Sequence, residues 1–174
     1  MKAIKNAVLV LEDSLIFDGT LTYEDSRITA LGPDGTVPLD GCEEVLDAGG
    51  AYLCPGLIDL HVHGTDRLYF HEQPEACAEF FLRHGVTNIF PTFYCNLTLE
   101  EMTRGLVRAA QKTHCGKTIG GVYMEGPYMS GSGSNQKSIR WRGDILPEEY
   151  LPLLDAAGDT VRIWAIDPAR PGIE

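Results

Sequence analysis

Pro55-Gly56-Leu57-Ile58-Asp59-Leu60-His61-Val62-His63-Gly64 sets two histidines one residue apart at the end of an apolar run. In a β-strand successive side chains point to opposite faces, so Leu57, Asp59, His61 and His63 share one face and Ile58, Leu60 and Val62 the other. The two imidazoles therefore converge at a strand end, an arrangement suited to a metal ion. An H-x-H pair alone also suits two hydrogen-bonded histidines with no ion between them.

Outward from this segment the chain alternates. Strands are expected at about 56 to 63, 86 to 94, 119 to 125 and 160 to 167, with helices at about 74 to 84, 98 to 114 and 147 to 157. Such alternation specifies a parallel sheet with helical crossovers, an α/β class. Gln73-Pro74-Glu75, Asn96 to Glu101 and Leu146-Pro147-Glu148-Glu149 carry helix-start chemistry: capping candidates, N1 prolines and first-turn acids. Before Pro55 the rhythm differs. Short β-prone runs (Ala3 to Leu11, Ser14 to Thr22, Ser26 to Leu31) are separated by turn signals at Asp18-Gly19, Asp34-Gly35 and Gly49-Gly50, which reads as a small antiparallel sheet. The expected organisation is a small β unit over 1–50 and a strand-helix unit over 51–174.

Composition limits the function classes. With 44% hydrophobic and 22% charged residues, the chain is an ordinary globular protein, not a disordered or fibrous one. A net charge of −11 argues against nucleic acid and anionic membranes as partners. No stretch approaches the roughly 20 apolar residues of a membrane span. The run from Ala7 to Leu11 is too short for a signal peptide. Five cysteines without a C-x-x-C pair indicate neither a disulfide framework nor a zinc ribbon, so a reducing cytoplasm is the expected compartment.

A second candidate ligand is Glu125, in Gly121-Val122-Tyr123-Met124-Glu125-Gly126-Pro127-Tyr128. Tyr123 and Glu125 share one strand face, Val122 and Met124 the other, and Gly126-Pro127 ends the strand. In parallel α/β architectures function gathers at the carboxyl ends of strands, where both the H-x-H pair and this glutamate fall. Alone, a glutamate before Gly-Pro is usually a solvated strand end. Together with His61 and His63 it makes a reasonable ligand set for zinc or another borderline divalent ion.

These segments, with Gly85-Val86-Thr87 and Phe90-Pro91-Thr92, resemble the amino-terminal part of the N-acetylglucosamine-6-phosphate deacetylases, a branch of the amidohydrolase superfamily. Many relatives place a carbamylated lysine on the fourth strand; Val161 to Asp167 offers none, which favours the deacetylase branch. The resemblance implies the first part of a distorted (β/α)₈ barrel, about four βα units, preceded by part of a small β-sandwich. It implies deacetylation of N-acetylglucosamine 6-phosphate to glucosamine 6-phosphate and acetate, with His61, His63 and Glu125 as metal ligands. The cofactor implied is a divalent metal, zinc first, with iron or another transition metal as alternatives. A metal-activated water and an aspartate acting as base and then acid would carry the chemistry. The partner implied is a small amino-sugar phosphate, and a homodimer is expected of the complete protein.

Two departures from the family pattern qualify this. Many members follow E-G-P with a Lys-Lys-Gly-Ala-His segment; here Ser134-Asn135-Gln136-Lys137-Ser138 lacks the histidine, leaving Gln136 and Lys137 as the substrate-binding candidates. Lys137, Arg140 and Arg142 form a basic cluster that suits either a phosphate or a solvated loop. The family takes its remaining histidines and its catalytic aspartate from the fifth, sixth and eighth strands. His71, His84 and His114 do not replace them, and a closed barrel needs roughly 200 to 250 residues. The expectation is a piece of a longer enzyme, inactive alone. Alternatives are an amidohydrolase for other N-acyl amino sugars, N-acyl amino acids or cyclic amides, and a noncatalytic half-barrel that assembles with a partner.

Overall fold

The computed structural model describes residues 1–94, 96–113, 118–129 and 144–173, which fall into two compact units, Met1–Pro55 and Gly56–Glu174. No helix among the described residues is long and apolar enough to cross a membrane.

The first unit is a five-stranded sheet of β1 (Lys2–Val10), β2 (Leu15–Glu24), β3 (Arg27–Pro33), β4 (Glu44–Asp47) and β5 (Tyr52–Leu53). The β1-β2-β3 meander is antiparallel, as the sequence suggested. The sheet as a whole is not, because β4 and β5 both pair parallel to the free edge of β1, against Lys2 to Lys5 and Val8 to Leu9. The stretch from Asp34 to Glu43 is long enough to carry the chain across to that edge, and a parallel pair requires such a crossover. Asp18-Gly19, expected as a turn, lies inside β2. Asp18 takes φ 49°, the register slips between Ala7/Gly19 and Leu9/Ile16, and a Cβ on Gly19 would lie 2.5 Å from Leu9 Cγ. The two residues form a bulge that only glycine fits. The β2-β3 turn is instead Asp25-Ser26, with Asp25 at φ 52°.

The second unit follows the expected order: β6 (Leu57–Val62), α1 (Pro74–Leu82), β7 (Val86–Tyr94), α2 (Leu99–Ala110), β8 (Val122–Glu125), α3 (Pro147–Ala157) and β9 (Val161–Ala165). The four strands lie in the order β6-β7-β8-β9, all parallel. The third strand starts later than expected, after Gly120-Gly121; Ile119 makes only isolated bridges, to Ile89 and Thr113. Two glycines present no side chain to a pleated surface and postpone the ladder.

Only one of the three helix starts has a side-chain cap. Thr98 Oγ1 accepts from Glu101 N (3.2 Å), and Glu101 Oε2 accepts from Thr98 N (2.7 Å), a reciprocal capping box. Gln73 and Leu146 make no such bond, and α1 and α3 start on the fixed φ of Pro74 and Pro147 instead. His84 lies just beyond the end of α1, its Nδ1 bonded to Phe80 O at 2.8 Å.

The core lies between the sheet and its helices. Ile89 and Phe93 of β7, Val122 and Met124 of β8 and Met102 and Leu106 of α2 are fully or almost fully buried there. Each such side chain contributes about 1.5–3 kcal/mol. Met102, Leu106 and Ala109 repeat at helical spacing, and α2 approaches so closely at Gly105 that a Cβ would stand 2.9 Å from His71 Cβ and 3.1 Å from Phe93. Because Val62, Ile89, Phe93, Val122 and Met124 face this core, the alternate residues of β6, β7 and β8 face the other side of the sheet. Leu57, Ile58 and Leu60 on edge strand β6, and Trp164 with Ile166 on and after edge strand β9, are exposed.

Candidate metal centre

The face opposite the core carries His61 and His63 at the end of β6, Thr92 and Tyr94 at the end of β7, and Tyr123 and Glu125 at the end of β8. Parallel pairing aligns these ends, with Tyr94 opposite Glu125 and Val62 opposite Pro91. The Nε2 atoms of His61 and His63 each lie 3.7 Å from Glu125 Oε2. Ligand atoms of the three residues all fall within 4.8 Å of one another, the one such group of three donors among the described residues.

The surroundings orient these groups. His63 Nδ1 donates to the backbone carbonyl of Thr92 (3.1 Å), which places the ring proton on Nδ1 and leaves the Nε2 lone pair toward Glu125. The His63 ring rests against Tyr94, with centroids 4.3 Å apart, and His61 lies edge-on to Tyr123 at 4.8 Å. The His61 backbone N–H donates to Asp59 Oδ1 (3.0 Å), so Asp59 shares the histidine face yet turns its carboxylate back onto its own strand. His61 and His63 side chains are 45% and 37% exposed and Glu125 22%, so all three are reached by solvent.

Two imidazoles and a carboxylate, one imidazole held in a defined tautomer and all three partly exposed, fit a divalent ion of the zinc type. The remaining sequence candidates fare differently. Gln136, Lys137, Arg140, Arg142 and His114 lie outside the described residues. His71 sits in the β6-α1 loop beside Glu72, where burial pushes its pKa below the ordinary value, and takes no part in the cluster. Cys42, Cys54 and Cys77 are free thiols; burial pushes Cys77 up to about 11, so it is not a reactive thiolate. Three further residues at the site, Thr92, Tyr94 and Tyr123, have no role in the sequence reading, although the alternation through Phe90 and Thr92 places Tyr94 on the same face as the ligand candidates.

Residues 52–172 match the amidohydrolase family. The chain belongs to that family. Over 163 residues this amidohydrolase is 25% identical to an N-acetylglucosamine-6-phosphate deacetylase of Vibrio furnissii, an alignment covering 86% of the chain and 41% of that protein. It is 24% identical over 170 residues to an N-acetylgalactosamine-6-phosphate deacetylase of Escherichia coli O157:H7, covering 94% of the chain and 43% of that protein. The crystal structure of N-acetylglucosamine-6-phosphate deacetylase from Pasteurella multocida superposes with a TM-score of 0.78 at 27% identity, covering 98% of the chain and 45% of that structure. The chain thus spans less than half the length of these relatives. Its β6-to-β9 unit is the amino-terminal portion of an amidohydrolase (β/α)₈ barrel, as the resemblance implied.

Proposed function

We propose that the protein carrying this chain is a metal-dependent amide hydrolase that deacetylates N-acetylglucosamine 6-phosphate or a closely related N-acyl amino-sugar phosphate. The observation that carries this reading is the convergence of His61, His63 and Glu125 at the carboxyl ends of two strands in an amidohydrolase fold. The likeness to deacetylases of both N-acetylglucosamine 6-phosphate and N-acetylgalactosamine 6-phosphate supports the substrate class and leaves the sugar epimer to experiment.

In this reading His61 and His63 supply neutral Nε2 donors and Glu125 the single negative charge of the ligand set. A divalent ion, zinc first, would supply Lewis-acid polarisation of the amide carbonyl when bound. Tyr94 and Tyr123 pack beside the imidazoles, restrict their rotation and exclude water from two sides. The proton transfers are assigned to an aspartate of the complete protein other than Asp59, whose carboxylate accepts from the His61 N–H of its own strand. Gln136 and Lys137 are assigned to the sugar phosphate. The 174 residues by themselves are accordingly proposed to bind metal without turnover, and the complete protein is proposed as a cytoplasmic homodimer.

The test measures acetate release by the intact gene product from N-acetylglucosamine 6-phosphate, N-acetylgalactosamine 6-phosphate and unphosphorylated N-acetylglucosamine, alongside metal content by mass spectrometry. A phosphorylated sugar should be preferred, and Glu125→Gln should lose more than about 100-fold in metal affinity, beyond what the loss of an outer-shell partner costs. A variant with unchanged metal content and turnover would remove Glu125 from the site.

A second reading is favoured by the exposed apolar residues of edge strands β6 and β9. Uncovered parallel edges are unusual in monomers, and a half-barrel that assembles with a complementary chain would cover them. A solution mass that rises with concentration supports that assembly; a monomer at all concentrations rejects it.

A further inference from the structure

We infer that Thr92 is a positioning residue that sets the two-histidine arm of the metal centre through both its hydroxyl and its carbonyl. The inference rests on the metal reading of His61, His63 and Glu125, and concerns a residue that reading does not use.

The register of β6 on β7 slips at the histidines. Asp59 pairs with Ile89, but Val62 pairs with Pro91, so three steps along β6 are matched by two along β7. One extra residue in the Leu60-His61 stretch must be absorbed, and such bulges redirect the side chains beside them. Pro91 has no N–H and cannot donate to the neighbouring strand at this point. Thr92 is the residue placed to compensate. It is 2% exposed, and its hydroxyl accepts from Val62 N at 3.1 Å while pointing to Phe90 O at 3.4 Å. The hydroxyl thus bridges a backbone donor of β6 and a backbone acceptor of β7 at the residue lying between the two histidines.

The same residue reaches His63 directly. Its carbonyl oxygen accepts from His63 Nδ1 at 3.1 Å, fixing both tautomer and ring direction. A rotation of the Thr92 peptide would therefore disturb the backbone between the imidazoles and the one ring bond that orients His63. Serine keeps the hydroxyl and loses a methyl group. Valine keeps the β-branched shape and loses the hydroxyl, leaving the Val62 N–H short of an acceptor in a largely dry position.

The experiment compares wild type, Thr92→Val and Thr92→Ser of the full chain. One readout is the zinc dissociation constant from chelator competition. A second, independent of metal, is the His63 tautomer of the apo protein at pH 8 by long-range proton-nitrogen NMR. Thr92→Val is expected to bind zinc about 10–100-fold more weakly and to show a mixture of His63 tautomers. Thr92→Ser is expected to stay near wild type on both readouts. Wild-type behaviour in Thr92→Val, or a Thr92→Ser variant as defective as the valine variant, overturns the inference. A wild-type protein that takes up neither zinc, cobalt nor iron sinks the metal reading, and the tautomer measurement still decides the role of Thr92.

Discussion

Tyr123 lies edge-on to His61, ring centroids 4.8 Å apart and planes 62° apart. His63 has a backbone carbonyl to orient it, and no ring-nitrogen bond of that kind is made by His61 among the described residues. Packing against Tyr123 takes that place, and it depends on ring area, not on the phenol hydroxyl. Tyr123→Phe should leave zinc affinity within about twofold, whereas Tyr123→Ala should weaken it by about tenfold. Equal losses in the two variants, read by chelator competition, would show that the hydroxyl matters instead.

The core under the site should respond by position along α2. Leu106 is fully buried against the sheet, and Leu106→Ala should cost about 2–5 kcal/mol. Its neighbour Val107 is 47% exposed, and Val107→Ala should change stability by no more than about 0.5 kcal/mol. Urea unfolding followed by circular dichroism distinguishes the two; comparable losses would mean that α2 is docked in a different rotation.

His71 gives the fold a pH dependence. Burial lowers its pKa below 6.5, with Arg108 acting in the same direction and Glu72 and Glu101 opposing. The unfolded chain takes up this proton near pH 6.5 while the folded chain still resists it, so stability is complete above 6.5 and falls as pH drops toward the folded pKa. Denaturation midpoints between pH 7.5 and 5.5 should decline more steeply for wild type than for His71→Gln. Parallel declines would assign the effect elsewhere.

Much of this was legible from local pattern. Period-two alternation placed His61, His63, Tyr123 and Glu125 on one sheet face because burial of Val62, Val122 and Met124 leaves no other choice of register. The strand-helix rhythm followed from N1 prolines and a strong Thr98 cap, which act within a few residues of where they are written. The failures were relations between distant segments. Asp18-Gly19 has turn chemistry, but a bulge against Leu9 uses the same left-handed backbone, and only the partner strand decides between them. The parallel attachment of β4 and β5 to β1 depends on a crossover, and Thr92 gains its role from a register slip on another strand. Neither leaves a mark in the residues concerned.

His61 stands on β6, His63 one residue past its end and Glu125 on β8, with the whole of β7 between them. An ion held by all three would act as a clasp across three strands, closing a loop from the first barrel strand to the third that the polypeptide closes only through two intervening helices. Unfolding must then release the ion, and the melting temperature becomes a function of free metal: a concentration one hundred times the dissociation constant adds about 2.7 kcal/mol. Metal supply would thereby govern how long the nascent sheet survives, before any substrate is met.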